Sequence, residues 1–188
     1  MKVIECAIPE VKIVIPEVFG DQRGYFFESW NAGRFSEAGI DRNWIQDNES
    51  KSRAGVIRGL HYQLPPYNQA KLVRVIEGKV LDVAVDIRRD SPAFGKHVAV
   101  ELSAENKYQL FIPRGFAHGF AVLSESVIFA YKCDNIYMPS AERGIAFDDP
   151  QLGINWQIPR EKAVLSAKDT VNVCFGDGEF FDGAEYLK

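Results

Sequence analysis

Short runs of β-branched and aromatic residues alternate along the chain with Gly, Pro, Asn and Asp, which is the pattern of many closely spaced strands. The runs fall at Val11–Pro16, Gly24–Trp30, Val56–Gln63, Lys71–Ile76, Lys79–Ile87, His97–Leu102, Tyr108–Ile112, Gly119–Leu123 and Val127–Lys132. One segment reads as helix, Asn31–Ala38, with Asn31 placed to cap it and Gly39 to stop it; a further turn is expected near Ser103–Asn106. Antiparallel strands without intervening helices must cover their own faces and edges, so the pattern predicts an all-β sandwich, jelly roll or barrel.

The stretch from Lys71 to Ile87 consists of two alternating strands around Glu77-Gly78 and reads as a hairpin. A two-residue turn there sets Ile76 opposite Lys79 and Val73 opposite Asp82, gathering Lys71, Val73, Val75, Val80, Asp82 and Ala84 on one face. Two opposite charges among valines fit the wall of a polar pocket, and they fit an exposed face as well.

Composition narrows the class. At 188 residues, 46% hydrophobic and 26% charged, the chain fits one globular domain spanning 1–188 that needs no disulfide or structural metal. The segment 175–188 is Gly- and acid-rich and is expected to be a peripheral tail packed loosely on the body. The opening residues lack the basic-then-apolar run of a secretory signal, and no apolar run reaches membrane-span length. Cys6, Cys133 and Cys174 are far apart and odd in number, which fits reduced thiols in the cytoplasm. A net charge of −4 disfavours polymeric nucleic acid as a partner. Lys51, Arg53, Arg58, Lys71 and Arg74 could still hold a small anion such as a diphosphate.

Candidate chemistry centres on a few side chains. His97 beside a plain alternating strand reads as a surface residue. His61, in Arg58–Gln63 (RGLHYQ), fits a hydrogen-bonded core histidine as well as a catalyst, and the same holds for His118 in Ile112–His118 (IPRGFAH). Strict alternation puts Arg58 and His61 on opposite faces, so both can line one site only if Gly59 marks a bulge or bend. Tyr131 shares a face with Val127 and Phe129 and is either an acid or a core tyrosine. Asp169 in Leu165–Asp169 (LSAKD) is either a loop residue or the partner of an imidazole.

His61 and the Pro-x-Gly-x-x-His spacing ending at His118 resemble the two half-motifs of metal-binding cupins. Those proteins carry His-x-His followed by Glu. Here Gln63 stands at the second His, Tyr67 and Asn68 stand where Glu is expected, and Lys71 follows. The ligand count is too small and the nearby ammonium opposes a dication, so no metal is expected.

Taken together, Phe19–Glu28 (FGDQRGYFFE), Gln46–Asn48 (QDN), Arg58–Gln63, Lys71–Arg74 (KLVR), Asp82–Arg88 (DVAVDIR), Ile112–Phe120 (IPRGFAHGF), Tyr131-Lys132 and Leu165–Asp169 resemble the dTDP-4-dehydrorhamnose 3,5-epimerase family. The resemblance implies a cupin-type jelly roll with a few short helices, active as a homodimer in dTDP-L-rhamnose biosynthesis. The reaction it implies converts dTDP-4-dehydro-6-deoxy-α-D-glucose to dTDP-4-dehydro-β-L-rhamnose through proton exchange at C3 and C5. It further implies that His61, held by Asp169, is the base, that Tyr131 returns a proton on the opposite ring face, and that Lys71 lies near the ketone oxygen. Arg23, Glu28, Gln46, Asp47, Asn48, Arg58, His118, Glu142 and Lys168 are implied around nucleotide and sugar. Action at one carbon only, or on a related deoxysugar nucleotide, is the alternative within the same fold family, and a metal-dependent cupin oxygenase or isomerase is the alternative outside it.

The residue types suit that chemistry. A proton beside a carbonyl is weakly acidic, so a site needs a positioned base, contributing about 10²–10⁴-fold, and a cation for the developing enolate. The substrate ketone supplies the activation, so no cofactor is expected, and no Gly-x-Gly-x-x-Gly opens a βαβ unit. Arg23 and Arg58 are the phosphate candidates, and Phe26, Phe27 or Tyr137 could stack on a thymine.

Overall fold

The computed structural model describes residues 1–186. Two sheets face each other. The first has the order β1 (Lys2–Glu5), β2 (Lys12–Ile15), β10 (Gln109–Ile112), β7 (Lys71–Glu77), β12 (Ser126–Cys133) and β5 (Gln46–Arg53). The second runs β13 (Glu142–Gly144), β6 (Ile57–Gln63), β11 (Phe116–Val122), β8 (Lys79–Asp86) and β9 (His97–Ser103). Strands β3 (Val18–Asp21) and β4 (Gly24–Phe27) pair only with each other, as a separate hairpin. All pairings between these strands are antiparallel and neither sheet closes on itself, which makes the molecule a jelly-roll sandwich.

The expected hairpin at Glu77-Gly78 is a corner between the sheets instead. Strand β7 pairs with β10 and β12, whereas β8 pairs with β11 and β9. Gly78 makes the corner possible: its φ is +80°, and an added Cβ would meet the Ser126 carbonyl oxygen at 2.0 Å. The face read from alternation survives, because Val73, Val75, Val80 and Ala84 share the core between the sheets with Leu110, Phe120 and Phe129. They meet across the sandwich, not side by side.

Each sheet also buries its outer face. On the first, helix α1 (Ala32–Glu37) lays Phe35 against Val14, Ile40, Leu72 and Phe111. Asn31 caps α1 by accepting from the Arg34 amide at 3.1 Å, and Gly39 leaves it at φ +74°. On the second, residues after β13 cover Ile57, Leu60, Val83 and Val85 with Phe147, Trp156, Phe175, Phe180 and Tyr186. The segment from 175 is therefore not loosely packed as far as residue 186. Asp177, Glu179 and Asp182 face solvent while Phe175, Phe180 and Tyr186, at 2%, 6% and 1% exposed, fill the core; residues 187 and 188 of the expected tail lie outside the described part. Among the described residues no helix is long and apolar enough to cross a membrane.

Phe175 packs on the rings of Phe94 and Phe180 at 5.1 and 4.9 Å. Replacing it with Ala removes a buried ring and should cost about 3 kcal/mol, measured as a lower urea midpoint at unchanged slope.

Candidate active site

The site begins with an irregularity in β6. Arg58 pairs with Phe120 and His61 with His118, so Gly59 and Leu60 together stand opposite Gly119 alone. This is a β-bulge, and it reverses the alternation for every residue beyond it. Arg58 and His61 consequently line the same cavity, while Ile57 and Leu60 both turn into the outer core. Glycine is required on both strands. Gly59 sits at φ +115°, and a Cβ there would lie 2.6 Å from both the Gly119 Cα and the His118 carbonyl oxygen. A Cβ on Gly119 would lie 2.7 Å from the Arg58 carbonyl oxygen.

The chain after β13 brings a carboxylate to the bulged strand. Val164 bridges Val56, donating to the Gly55 carbonyl at 2.8 Å and accepting from the Ile57 amide at 3.1 Å. Five residues on, Asp169 Oδ1 lies 2.5 Å from His61 Nε2, and Ser166 Oγ donates to the other carboxylate oxygen at 2.8 Å. Burial works against ionisation of Asp169, but the bonds from His61 and Ser166 and the field of Lys168 hold it below the usual carboxylate range. With Nε2 turned to Asp169, Nδ1 is the imidazole nitrogen left to take a proton.

The first sheet supplies the facing groups. Tyr131 on β12 and Lys71 on β7 both line the cavity into which His61 points. Tyr131 packs on Phe129 at 6.1 Å, and its hydroxyl makes no hydrogen bond among the described residues. Burial, with the Cys133 thiol adding to it and Arg58 opposing, pushes this phenol up, so it rests neutral. His118 stacks on Phe129 at 6.2 Å and donates from Nε2 to both oxygens of the fully buried Asp82, at 3.0 and 3.1 Å.

The cleft has two lobes, of about 460 and 270 Å³, and His61, Lys71 and Tyr131 line both. Arg58, His118, Ser166, Lys168 and Asp169 belong to the larger lobe, and Gln46, Asn48, Gln63, Tyr137 and Glu142 to the smaller. Gln46 and Asn48 are inward residues of β5 joined by a 3.0 Å hydrogen bond, and Gln46 also accepts from the Tyr137 amide at 3.1 Å. Glu142 accepts from the Tyr137 hydroxyl at 2.7 Å and pairs with the Lys168 ammonium. Burial disfavours its charge, yet those two partners keep its pKa below the ordinary value.

Three expected residues stand apart from the cleft of this chain. Asp47 is on the outward face of β5 and pairs with Lys132 at 2.7 Å. Arg23 sits at the exposed tip of the β3–β4 hairpin, 2.6 Å from Asp21, and Glu28 pairs with Arg34 at 3.5 Å. Conversely, Ser166 and Cys133 join the site without having been singled out for it. Ser166 lies within the Leu165–Asp169 motif, and alternation along β12 puts Cys133 on the face of Tyr131. Among the described residues no group of three His, Cys, Asp or Glu side chains is arranged to hold a metal ion.

A dTDP-4-dehydrorhamnose 3,5-epimerase from Shigella flexneri is 54% identical over 182 residues, covering 96% of this chain and 99% of that protein. One from Pseudomonas aeruginosa is 50% identical with the same coverage. Among solved structures, the Legionella pneumophila dTDP-6-deoxy-D-glucose-3,5-epimerase in complex with dTDP-4-keto-L-rhamnose superposes with a TM-score of 0.93 at 47% identity, covering 96% of this chain and 97% of that one. Fold and cleft thus define an epimerase on a cupin-type jelly roll. More narrowly, the model of the dTDP-4-dehydrorhamnose 3,5-epimerase family matches residues 5–177, and the chain belongs to that family.

Gly59→Ala tests the bulge. Having no room for a Cβ and a positive φ, the variant should lose about 2 kcal/mol or more of stability, and any folded fraction should have kcat reduced together with stability. Wild-type urea unfolding and kcat in this variant would contradict the assigned geometry.

Proposed function

We propose that the protein epimerises dTDP-4-dehydro-6-deoxy-α-D-glucose at C3 and C5, giving dTDP-4-dehydro-β-L-rhamnose for dTDP-L-rhamnose biosynthesis. The observation that carries this reading is His61 on one sheet, paired with Asp169 from the chain after β13, facing Tyr131 and Lys71 on the other sheet, within a chain of this family.

In this reading His61 takes the proton from the carbon beside the C4 ketone. Asp169 stabilises the imidazolium that forms and fixes the ring's orientation. The electron pair of the broken C–H bond moves into the enolate, whose oxygen is met by the Lys71 ammonium in a cleft poor in water. Tyr131, held neutral, donates its proton to the carbon from the opposite face, which inverts the centre; the His61 imidazolium then releases its proton to solvent and the Tyr131 phenolate takes one up, restoring both groups. Arg58 and Lys168 are the cations of the larger lobe that suit the diphosphate, with His118 beside the sugar. Gln46, Asn48 and Glu142 are the hydrogen-bonding groups of the smaller lobe. No cofactor enters the scheme.

We also propose a cytoplasmic homodimer in which Arg23, Glu28 and Asp47 act at or near the partner's cleft. Support comes from the β3–β4 hairpin, which leaves Phe19, Tyr25 and Phe26 at 57%, 60% and 69% exposed while Arg23 and Glu28 stand outside their own chain's cleft. Exposed aromatic clusters of this kind are what an interface covers. The free thiols of Cys6, Cys133 and Cys174 suit a reducing compartment.

Incubation with the substrate in deuterated water should place deuterium at both C3 and C5; label at one carbon alone would make the enzyme a mono-epimerase, and label at neither would refute the proposal. His61→Ala should lower exchange by about 10²-fold or more while dTDP still binds. Tyr131→Phe should leave washout of the substrate proton detectable but suppress inversion. Light scattering on the eluting protein should give twice the chain mass of 21.2 kDa, and Phe26→Asp should shift it toward the monomer with loss of kcat.

A further inference from the structure

Residues 134–138 lead out of β12 toward β13 and carry the half-exposed Tyr137 into the wall of the smaller lobe. An exposed connection without ladder hydrogen bonds is the kind of segment that samples many conformations. Here side-chain amides replace the ladder. Gln69 Nε2 donates to the Asn135 carbonyl at 2.8 Å, and Asn135 Nδ2 donates to the Pro66 carbonyl at 2.8 Å. Gln46 on β5 accepts from the Tyr137 amide at 3.1 Å.

Gln63 makes more of these bonds than any other side chain. It is buried on β6, two residues beyond His61 and on the same inward face, and it stands where metal-binding cupins carry their second His. Its Nε2 donates to the carbonyls of Ile136 at 3.0 Å and Tyr67 at 2.5 Å, and its Oε1 accepts from the Met138 amide at 2.7 Å. The bonds to residues 136 and 138 straddle Tyr137, so the backbone on each side of that residue is tied to β6. Both donors and one acceptor position of a planar amide are spent in this way, which fixes the direction of the segment as well as its place. At its far end Tyr137 is fixed again, by the bond from its hydroxyl to Glu142 at 2.7 Å.

The anchored residue is the one that matters for a flat ligand. Of the aromatic side chains that suit a thymine, Phe26, Phe27 and Tyr137, only Tyr137 lines the cleft among the described residues. Association is weakened by whatever must be ordered at that moment, so a wall already in place binds more tightly than one that has to be assembled.

We infer that Gln63 is a positioning residue for nucleotide binding, holding residues 136–138 so that Tyr137 stands ready as a wall for the base. The inference rests on the proposed binding of a dTDP-sugar in this cleft, and it concerns affinity, not proton transfer. Gln63 acts through Tyr137, because its own polar atoms are committed to backbone.

Free dTDP is the probe, so that binding is read without turnover. Gln63→Met keeps the length of the side chain and brings no charge near the diphosphate, but it leaves the Ile136 carbonyl and the Met138 amide without their partner. Calorimetric titration should show dTDP binding weakened by about tenfold or more, and the loss in kcat/KM should lie mainly in KM. Tyr137→Ala should also weaken dTDP binding, and the double variant should be no weaker than Tyr137→Ala alone, since the amide works through that ring. Losses that add, or unchanged dTDP affinity in folded Gln63→Met, overturn the inference and leave the epimerase reading intact; a wild-type protein that binds no dTDP overturns both. If Gln63→Met does not fold, hydrogen exchange of the wild-type protein decides. The Met138 amide should be protected before any ligand is added, and free exchange there until dTDP binds overturns the inference.

Discussion

The site depends on a contact between two glycines. Gly59 and Gly119 bring the backbones of β6 and β11 too close for a side chain on either, and the extra residue this allows in β6 is what turns His61 and Arg58 to the same side. Leu60, displaced to the other side, becomes part of the apolar surface on which the chain after β13 docks. That docking in turn delivers Asp169 to His61. A steric fact about missing Cβ atoms therefore propagates into the placement of an imidazole, a core leucine and a carboxylate.

The sandwich divides the chemistry between its layers. His61 and His118 rise from one sheet, Lys71, Tyr131 and Cys133 from the other, and the cleft is the gap where the inward residues turn polar. Phe129 braces this gap, in ring contact with both His118 and Tyr131, so rings that differ in chemistry share one rigid support. The charges are arranged in compensated sets. Asp169 answers His61, Glu142 answers Lys168, and Tyr131 and Cys133 remain neutral because burial penalises their anions.

Much of this was legible in the sequence wherever alternation coincided with burial. The nine strands that were read are rich in β-branched and aromatic residues, and α1 has a cap and a stop that need no tertiary context. Strand β5 (QDNESKSR) escaped because it is polar on both faces: its inward residues line the cleft or approach it instead of filling a core. Strand β13 has 3 residues, too few for a period to show, and β1 and β3 have no buried position to mark an inward face. The Glu77-Gly78 corner was misread because a hairpin and an inter-sheet turn place the same residues on the same face and differ only in their partners. The last segment looked solvent-like by composition, and only its three buried aromatics, widely spaced among glycines and acids, tie it down. At the site, the His61 and Tyr131 neighbourhoods were recognisable from their motifs, and the bulge followed from the spacing of Arg58 and His61. The placement of Arg23, Glu28 and Asp47 apart from the cleft did not follow, since a motif fixes residue types and not which surface of the folded chain they reach.

The segment that follows β13 has two structural duties, closing the outer face of the second sheet and orienting His61 through Asp169. During synthesis these duties are discharged together and late. A chain that has emerged only as far as β13 has every strand of both sheets, yet it exposes Ile57, Leu60, Val83 and Val85 and has a histidine with no carboxylate behind it. Such an intermediate exposes apolar surface and lacks the His61–Asp169 pair. The fold thus links the His61–Asp169 contact to completion of the chain, since one segment both covers the outer face of the second sheet and carries the carboxylate.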